Sequence, residues 1–170
     1  MRELCDIYDV NENKTGETFI RGERLKEGQY HLGANIWVIN SKFEVLIQKR
    51  SKCKSCSPDI WATHGGCVSV GETSFEACIR EAYEEVGIKL EPKNVKFLAR
   101  GFGENLIMDN YIVSQDFDIS SAVVQAEEVS EIKWATIEEI EQMIDSGEFF
   151  KYRELKDVIQ YINELKCGRQ

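Results

Sequence analysis

Residues 66–88 read GCVSVGETSFEACIREAYEEVGI, and the rest of the chain reads as a holder for them. Thr73 or Ser74 can cap a helix, the run that follows holds neither Gly nor Pro, and Gly87 supplies the stop. At ~100° per residue, Phe75, Ile79, Ala82 and Val86 share one face and form a core stripe. Glu81, Glu84 and Glu85 stand at i, i+3 and i+4, so their carboxylates crowd on a different face. Like charges at that spacing repel and weaken an isolated helix. A hard divalent cation offsets the repulsion, and Mg2+ or Mn2+ held by oxygen ligands keeps positions open for water and substrate phosphates. On charge pattern alone, a solvated acidic surface is the alternative.

The spacing around the cluster is more specific. The stretch fits G-x5-E-x7-R-E-U-x-E-E-x-G-U, with U apolar, at Gly66, Glu72, Arg80, Glu81, Ala82, Glu84, Glu85, Gly87 and Ile88. Ala82 is a small residue for its slot. This pattern resembles the Nudix box, the signature of the Nudix hydrolase family. The resemblance implies a loop–helix–loop in which Glu81, Glu84, Glu85 and the carbonyl of Gly65 hold divalent metal. Arg80 joins the three glutamates in the catalytic set, and Glu72 pairs with Arg80 to brace the loop. Gly65-Gly66 would let backbone approach the metal; a plain turn is the other reading of that pair.

At 170 residues the chain is expected to be a single domain over 1–170, large enough to bury a core. With 42% apolar and 30% charged residues it has the balance of a soluble globular protein. No apolar run is long enough to span a bilayer, and the acidic start MRELCDIYD is no secretory signal, so a cytoplasmic location without membrane contact is expected. The net charge of −9 argues against a nucleic-acid polymer as partner. An anionic phosphate ligand then needs local cations. The cysteines at 5, 53, 56, 67, 78 and 167 are free thiols in a reducing compartment. Cys53 and Cys56 form one C-x-x-C pair without a second pair or a His pair, and a zinc or redox role stays open.

Along the chain, LCDIYDV and ETFIRGE predict a hairpin around NENKTG, with Arg21 and Arg24 as surface charges. HLGANIWVIN (31–40) and EVLIQKR (44–50) predict paired strands, followed by the cation-dense loop KRSKCKSCSPDIW and a short strand near IWATH. VKFLARGF (95–102) pairs with LIMDNYIVSQDF (106–117); after a polar connection comes a strand at EIKWATI (131–137). Thr136 and Glu139 predict a capping box for a helix with Ile137, Ile140 and Ile144 inward. A last helix over about 152–166 carries Leu155, Val158, Ile159, Ile162 and Leu165 as its stripe. Mixed strands and helices read as α/β or α+β, and the resemblance sharpens this to a mixed-sheet α/β/α sandwich with an N-terminal β-hairpin.

Residues 6–88 also resemble the isopentenyl diphosphate isomerase branch of the superfamily, through YDVNENKTGETFIRGERLKEGQYHLGANIWVIN and LIQKRSKCKSCSPDIW. In that branch the positions of Arg50 and Lys54 contact a diphosphate; a solubilising loop is the alternative for this cationic run. The isomerase needs a Cys where this chain has Gly65, and a metal-binding His where it has Cys67. His31 matches another metal His of that enzyme, although a lone His on a strand is commonly a core residue. The box here is intact, which implies a hydrolase.

The expected substrate is a small molecule, a nucleoside diphosphate linked to another moiety. Water attacks one phosphorus, with Glu81, or Glu127 or Glu128 from the loop before the last strand, taking its proton. Arg50 stabilises charge on the leaving phosphate. Trp61, Phe102 and Tyr111 are either core residues or surfaces for a stacked base. An isopentenyl diphosphate isomerase-like enzyme and a non-catalytic nucleotide-binding module are the rival readings. Many relatives of such a hydrolase are dimers, which leaves a homodimer open.

Overall fold

A computed structural model of the chain describes residues 3–54 and 56–168. Its strands are β1 (Leu4–Tyr8), β2 (Lys14–Ile20), β3 (His31–Ile39), β4 (Val45–Arg50), β5 (Trp61–Ala62), β6 (His64–Cys67), β7 (Lys96–Phe102), β8 (Leu106–Ser114) and β9 (Val129–Ala135). The helices are α1 (Ser74–Val86), α2 (Ile137–Asp145) and α3 (Leu155–Cys167). Strands β3 to β9 form one mixed sheet.

The middle of that sheet is β3, HLGANIWVI, whose residues from Leu32 onward are all buried. It runs parallel to β8 in register from His31↔Leu106 to Ile39↔Ser114 and antiparallel to β6 from Gly33↔Cys67 to Ile36↔His64. An apolar run without polar alternation fits a strand covered on both faces. Ala34, Ile36 and Val38 pack toward α1 with Ala77, Cys78, Ala82 and Val86. Trp37 and Ile39 pack toward α2 and α3 with Ile140, Met143, Val158 and Ile162. The result is the expected mixed-sheet α/β/α sandwich. Each fully buried aliphatic chain contributes on the order of 1.5–3 kcal/mol, which is why this strand anchors both layers.

Several boundaries differ from the sequence reading. Strand β4 registers with β3 only at Ile39↔Val45, and its main partner is β9, from Val45↔Ala135 to Arg50↔Val129. Strand β9 accordingly starts at Val129 and takes over the end of the expected polar connection. Helix α3 starts at Leu155 rather than 152, and Val158 and Ile162 are its buried residues. On α2, Ile140 and Met143 are buried while Ile137 and Ile144 pack at the edge. Its capping box forms as expected, with Glu139 N donating to Thr136 Oγ1 and Thr136 N to Glu139 Oε2.

The hairpin β1–β2 pairs from Leu4↔Ile20, with a shorter turn than expected because Asp9 Oδ1 accepts from the amides of Asn11 and Asn13. Cys5, Ile7 and Phe19 form a small cluster that rests against Leu25 and Cys67. A bridge from Cys5 to Ser69 then ties the hairpin to the loop before α1. Among the described residues no helix is long and apolar enough to cross a membrane.

Candidate active site

Helix α1 is fixed at both ends by local chemistry. Thr73 Oγ1 accepts from Glu76 N, and Glu76 Oε2 accepts from Thr73 N, a capping box. Gly87 closes the helix at φ +76°, in the left-handed region glycine tolerates, and its N–H donates to Tyr83 O. The buried face differs from the expected stripe. It consists of Ser74, Ala77, Cys78, Glu81, Ala82, Glu85 and Val86, while Phe75 and Ile79 pack at its margin. Sheet and helix therefore bury two carboxylates, and Glu84 alone of the three stays exposed. Among the described residues no three His, Cys, Asp or Glu side chains converge on one point.

Each glutamate has a distinct setting. Glu81 is 7% exposed and accepts from Arg80 Nη1 at 2.9 Å. Burial, and next the neighbouring Glu85 charge, push its carboxyl up from 4.5 to about 7, against the pull of Arg80. Glu85 is 4% exposed, and its Oε2 accepts from Gln48 Nε2 at 2.8 Å and from Gly65 N at 3.2 Å. Glu84 Oε2 accepts from the same Arg80 Nη1 at 3.0 Å. Arg80 also holds Glu72 through Nε at 2.8 Å and Nη2 at 3.0 Å, and Nη2 reaches Cys67 O at 3.2 Å. Glu72 in turn accepts from Ser69 N. One guanidinium thus joins the loop to the helix.

Gly65 and Gly66 lie in strand β6, not in a turn, and space rather than backbone angle demands glycine there. A Cβ on Gly66 would sit 2.2 Å from Glu81 Oε1. A Cβ on Gly65 would sit 2.3 Å from Ala34 O. The backbone therefore runs directly beside the Glu81 carboxylate.

A cavity of about 420 Å³ opens over these groups. Arg21, Arg50, Lys54 and Arg80 supply cations to its wall, and Glu3, Glu81, Glu84 and Glu128 supply carboxylates. Arg50 is held by the loop after β4, with Nε donating to Ser57 O and Nη2 to Cys56 O. Lys54 forms an ion pair with Glu128, so two residues singled out separately meet across the cavity. Glu127 is exposed and does not line it. Arg21, expected as a plain surface charge, lines the wall in a 2.7 Å pair with Glu3. A wider hollow of about 790 Å³ beside Phe75, Ile79 and Pro92 shares Arg80 but, among the described residues, no other cation, so it offers less to a phosphate.

A second cavity of about 170 Å³ adjoins the charged one, sharing Arg50 and Gly65. Met108, Phe150 and Tyr152 form walls, with Asn35 and Thr63 at polar positions. The Tyr152 hydroxyl accepts from Thr63 N, and burial pushes its pKa up to about 12. The aromatic residues expected to offer stacking surfaces lie elsewhere. Tyr111 sits between Phe75 and Phe97, Trp61 is partly buried against the core cluster of α2 and α3 with Lys133 over its ring, and Phe102 borders a separate cavity.

Two further residues at the site have no motif. Gln48 and His64 are fully buried behind Glu85, with His64 Nδ1 3.1 Å from Gln48 Oε1. The sequence signal for Gln48 is a polar residue at the end of the apolar run VLIQ, which a buried strand tolerates only with partners. His31 is partly buried against Phe19, and burial lowers its pKa. All six cysteines are free, with Cys53 and Cys56 exposed.

Comparison with known proteins bears on this site. The family model described as NUDIX domain matches residues 29–157. An uncharacterized Nudix hydrolase of Listeria monocytogenes is 36% identical over 151 residues, spanning 88% of this chain and 89% of that protein. An isopentenyl-diphosphate Delta-isomerase of Photorhabdus laumondii is 25% identical over 156 residues, 86% of this chain and 85% of that one. The crystal structure of DR0079 from Deinococcus radiodurans superposes with a TM-score of 0.75 at 24% identity, over 93% of this chain and 98% of that one, a likeness of fold.

Proposed function

The chain belongs to the Nudix hydrolase family, and from that premise we propose that it is a divalent-metal-dependent diphosphohydrolase. Its substrate is a nucleoside diphosphate linked to another moiety, cleaved by water attack at phosphorus. The observation that carries this reading is the burial of Glu81, which lines a cavity walled by cations, together with Glu85 next to it. Burying carboxylates costs several kcal/mol unless a cation accompanies them. Arg80 serves Glu81, but among the described residues Glu85 has only amide donors and His64, at 3.5 Å.

The donor set fits a hard cation, because carboxylate and carbonyl oxygens are what Mg2+ and Mn2+ take. Glu81, Glu84, Glu85 and the Gly65 carbonyl are the residues that would hold it. When bound, such an ion supplies Lewis-acid polarisation of the phosphoryl oxygens and charge neutralisation. Glu81, whose carboxyl burial raises in the cation-free chain, is the candidate to take a proton from the attacking water. Glu128, from the loop before β9, is a second candidate carboxylate in the cavity wall. Arg50 and Lys54 face the diphosphate and stabilise charge on the leaving phosphate. The attached moiety extends toward the adjoining cavity of Met108, Phe150 and Tyr152.

The isomerase reading meets an obstacle at Gly65, where a cysteine Cβ would collide with Ala34 O. One assay separates the readings. The protein is incubated with Mg2+ and a panel of nucleoside diphosphate derivatives together with isopentenyl diphosphate, and phosphate-bearing products are followed. Hydrolysis that is lost in Glu84→Gln or Glu85→Gln supports the proposal. Double-bond migration favours an isomerase, and binding without turnover favours a nucleotide-binding module.

A further inference from the structure

Gln48 presents an arrangement that ordinary core packing does not require. It is 1% exposed on β4, in a strand whose preceding three residues are fully buried and apolar. An apolar residue of the same volume would fill that position without needing partners. Instead its amide is saturated. Nε2 donates to Glu85 Oε2 at 2.8 Å and to Thr63 O at 3.3 Å, and Oε1 lies 3.1 Å from His64 Nδ1.

The direction of each bond follows from chemistry. A carboxylate only accepts, so the amide nitrogen must face Glu85 and the amide oxygen must face His64. His64 Nδ1 therefore carries the hydrogen, and the chain runs His64 Nδ1–H to Gln48 Oε1, then Gln48 Nε2–H to Glu85 Oε2. His64 is 0% exposed and its Nε2 has no partner among the described residues. Gly65 N donates to the same Oε2. Both donors thus converge on one oxygen of Glu85, which His64 Nδ1 also approaches at 3.5 Å, and Oε1 accepts no hydrogen bond among the described residues.

We infer that Gln48, itself held by His64, is a positioning residue that locks the Glu85 carboxylate so that Oε1 is the oxygen offered to the divalent cation. This rests on the reading of Glu85 as a metal-holding residue. Outer partners that orient a ligating carboxylate typically change metal affinity 10–100-fold when removed. The pair also explains why a sheet interior tolerates two polar residues side by side. They act through Glu85 and touch neither substrate nor cation.

The test is binding of Mn2+ to the full chain without substrate, read from the free-ion signal in electron paramagnetic resonance, alongside melting temperature. Gln48→Met keeps the volume and removes both amide functions; it should weaken Mn2+ binding at least tenfold. His64→Leu removes the Nδ1 donor and should weaken binding likewise. His64→Asn places an amide N–H near the Nδ1 position, and should retain affinity within about threefold even though its smaller side chain destabilises the core. Ile47→Ala, a cavity on the opposite face of β4, should lower the melting temperature and leave Mn2+ affinity unchanged. Affinity that follows melting temperature across all four variants, or Gln48→Met and His64→Leu binding as tightly as the unaltered chain, overturns the inference and leaves the metal site standing. Failure of the unaltered chain to bind Mn2+ removes the metal site and this inference together.

Discussion

Arg80 grips Glu72 through two parallel hydrogen bonds, Nε to Oε1 at 2.8 Å and Nη2 to Oε2 at 3.0 Å, across eight residues of chain. The fork geometry is what arginine provides and lysine cannot. Because the same guanidinium reaches Glu81, Glu84 and Cys67 O, it sets the distance between loop and helix. Arg80→Lys should cost about 1–2 kcal/mol of stability, since the group is partly solvated. It should cost more in turnover than in folding. Urea midpoints compared with initial rates check both.

Gly66→Ala and Gly65→Ala should fail in different ways. The first drives a methyl into the Glu81 carboxylate, a movable side-chain end, so the fold should survive with the rate down about a hundredfold. The second drives it into the Ala34 backbone in the β3–β6 pairing, so it should destabilise the sheet by about 1–3 kcal/mol. Melting curves and rates for the two variants separate these outcomes.

Stability of the cation-free chain should depend on pH through Glu81. Its carboxyl titrates near 7 in the folded state against an ordinary 4.5. The folded chain therefore binds the proton more tightly than the unfolded chain, and this contribution is complete below pH 4.5 and lost as pH rises through about 7. The span corresponds to roughly 3 kcal/mol. Urea midpoints measured from about pH 5 to pH 8 should fall in the cation-free chain, flatten in Glu81→Gln, and recover on adding Mg2+ at the upper end.

The two acidic neighbours in the loop before β9 should behave differently. Glu128 lines the cavity in an ion pair with Lys54, and Glu127 faces solvent. Glu128→Gln should lower kcat/KM about tenfold or more. Glu127→Gln should leave it within about twofold. Equal effects would remove Glu128 from the site.

Helix α1 is legible from sequence because its signals are local: a capping box, a C-terminal glycine and charges spaced within one turn. The sandwich is legible from the apolar run of β3 and the stripes of α2 and α3. What sequence does not display is which side of α1 the sheet covers. Apolarity favours Phe75 and Ile79, yet the sheet lies over Glu81 and Glu85, and Gly66 of β6 leaves room there for the Glu81 carboxylate. Arg21, Phe150 and Tyr152 reach the cavities only through long-range pairing, of the hairpin with Ser69 and of Trp61 with Phe149, and no local pattern encodes such register. The same holds for the choice between Glu127 and Glu128, which strand β9 decides by its register on β4.

The most direct test of the central claim, that buried Glu81 and Glu85 hold a catalytic divalent cation, is the initial rate of nucleoside diphosphate-derivative hydrolysis as Mg2+ is titrated, in the unaltered chain and in Glu85→Gln. The expected rate saturates with Mg2+, vanishes with chelator, and drops at least a hundredfold in the variant. A rate indifferent to chelator, or a Glu85→Gln chain that turns over as fast as the original, would contradict it.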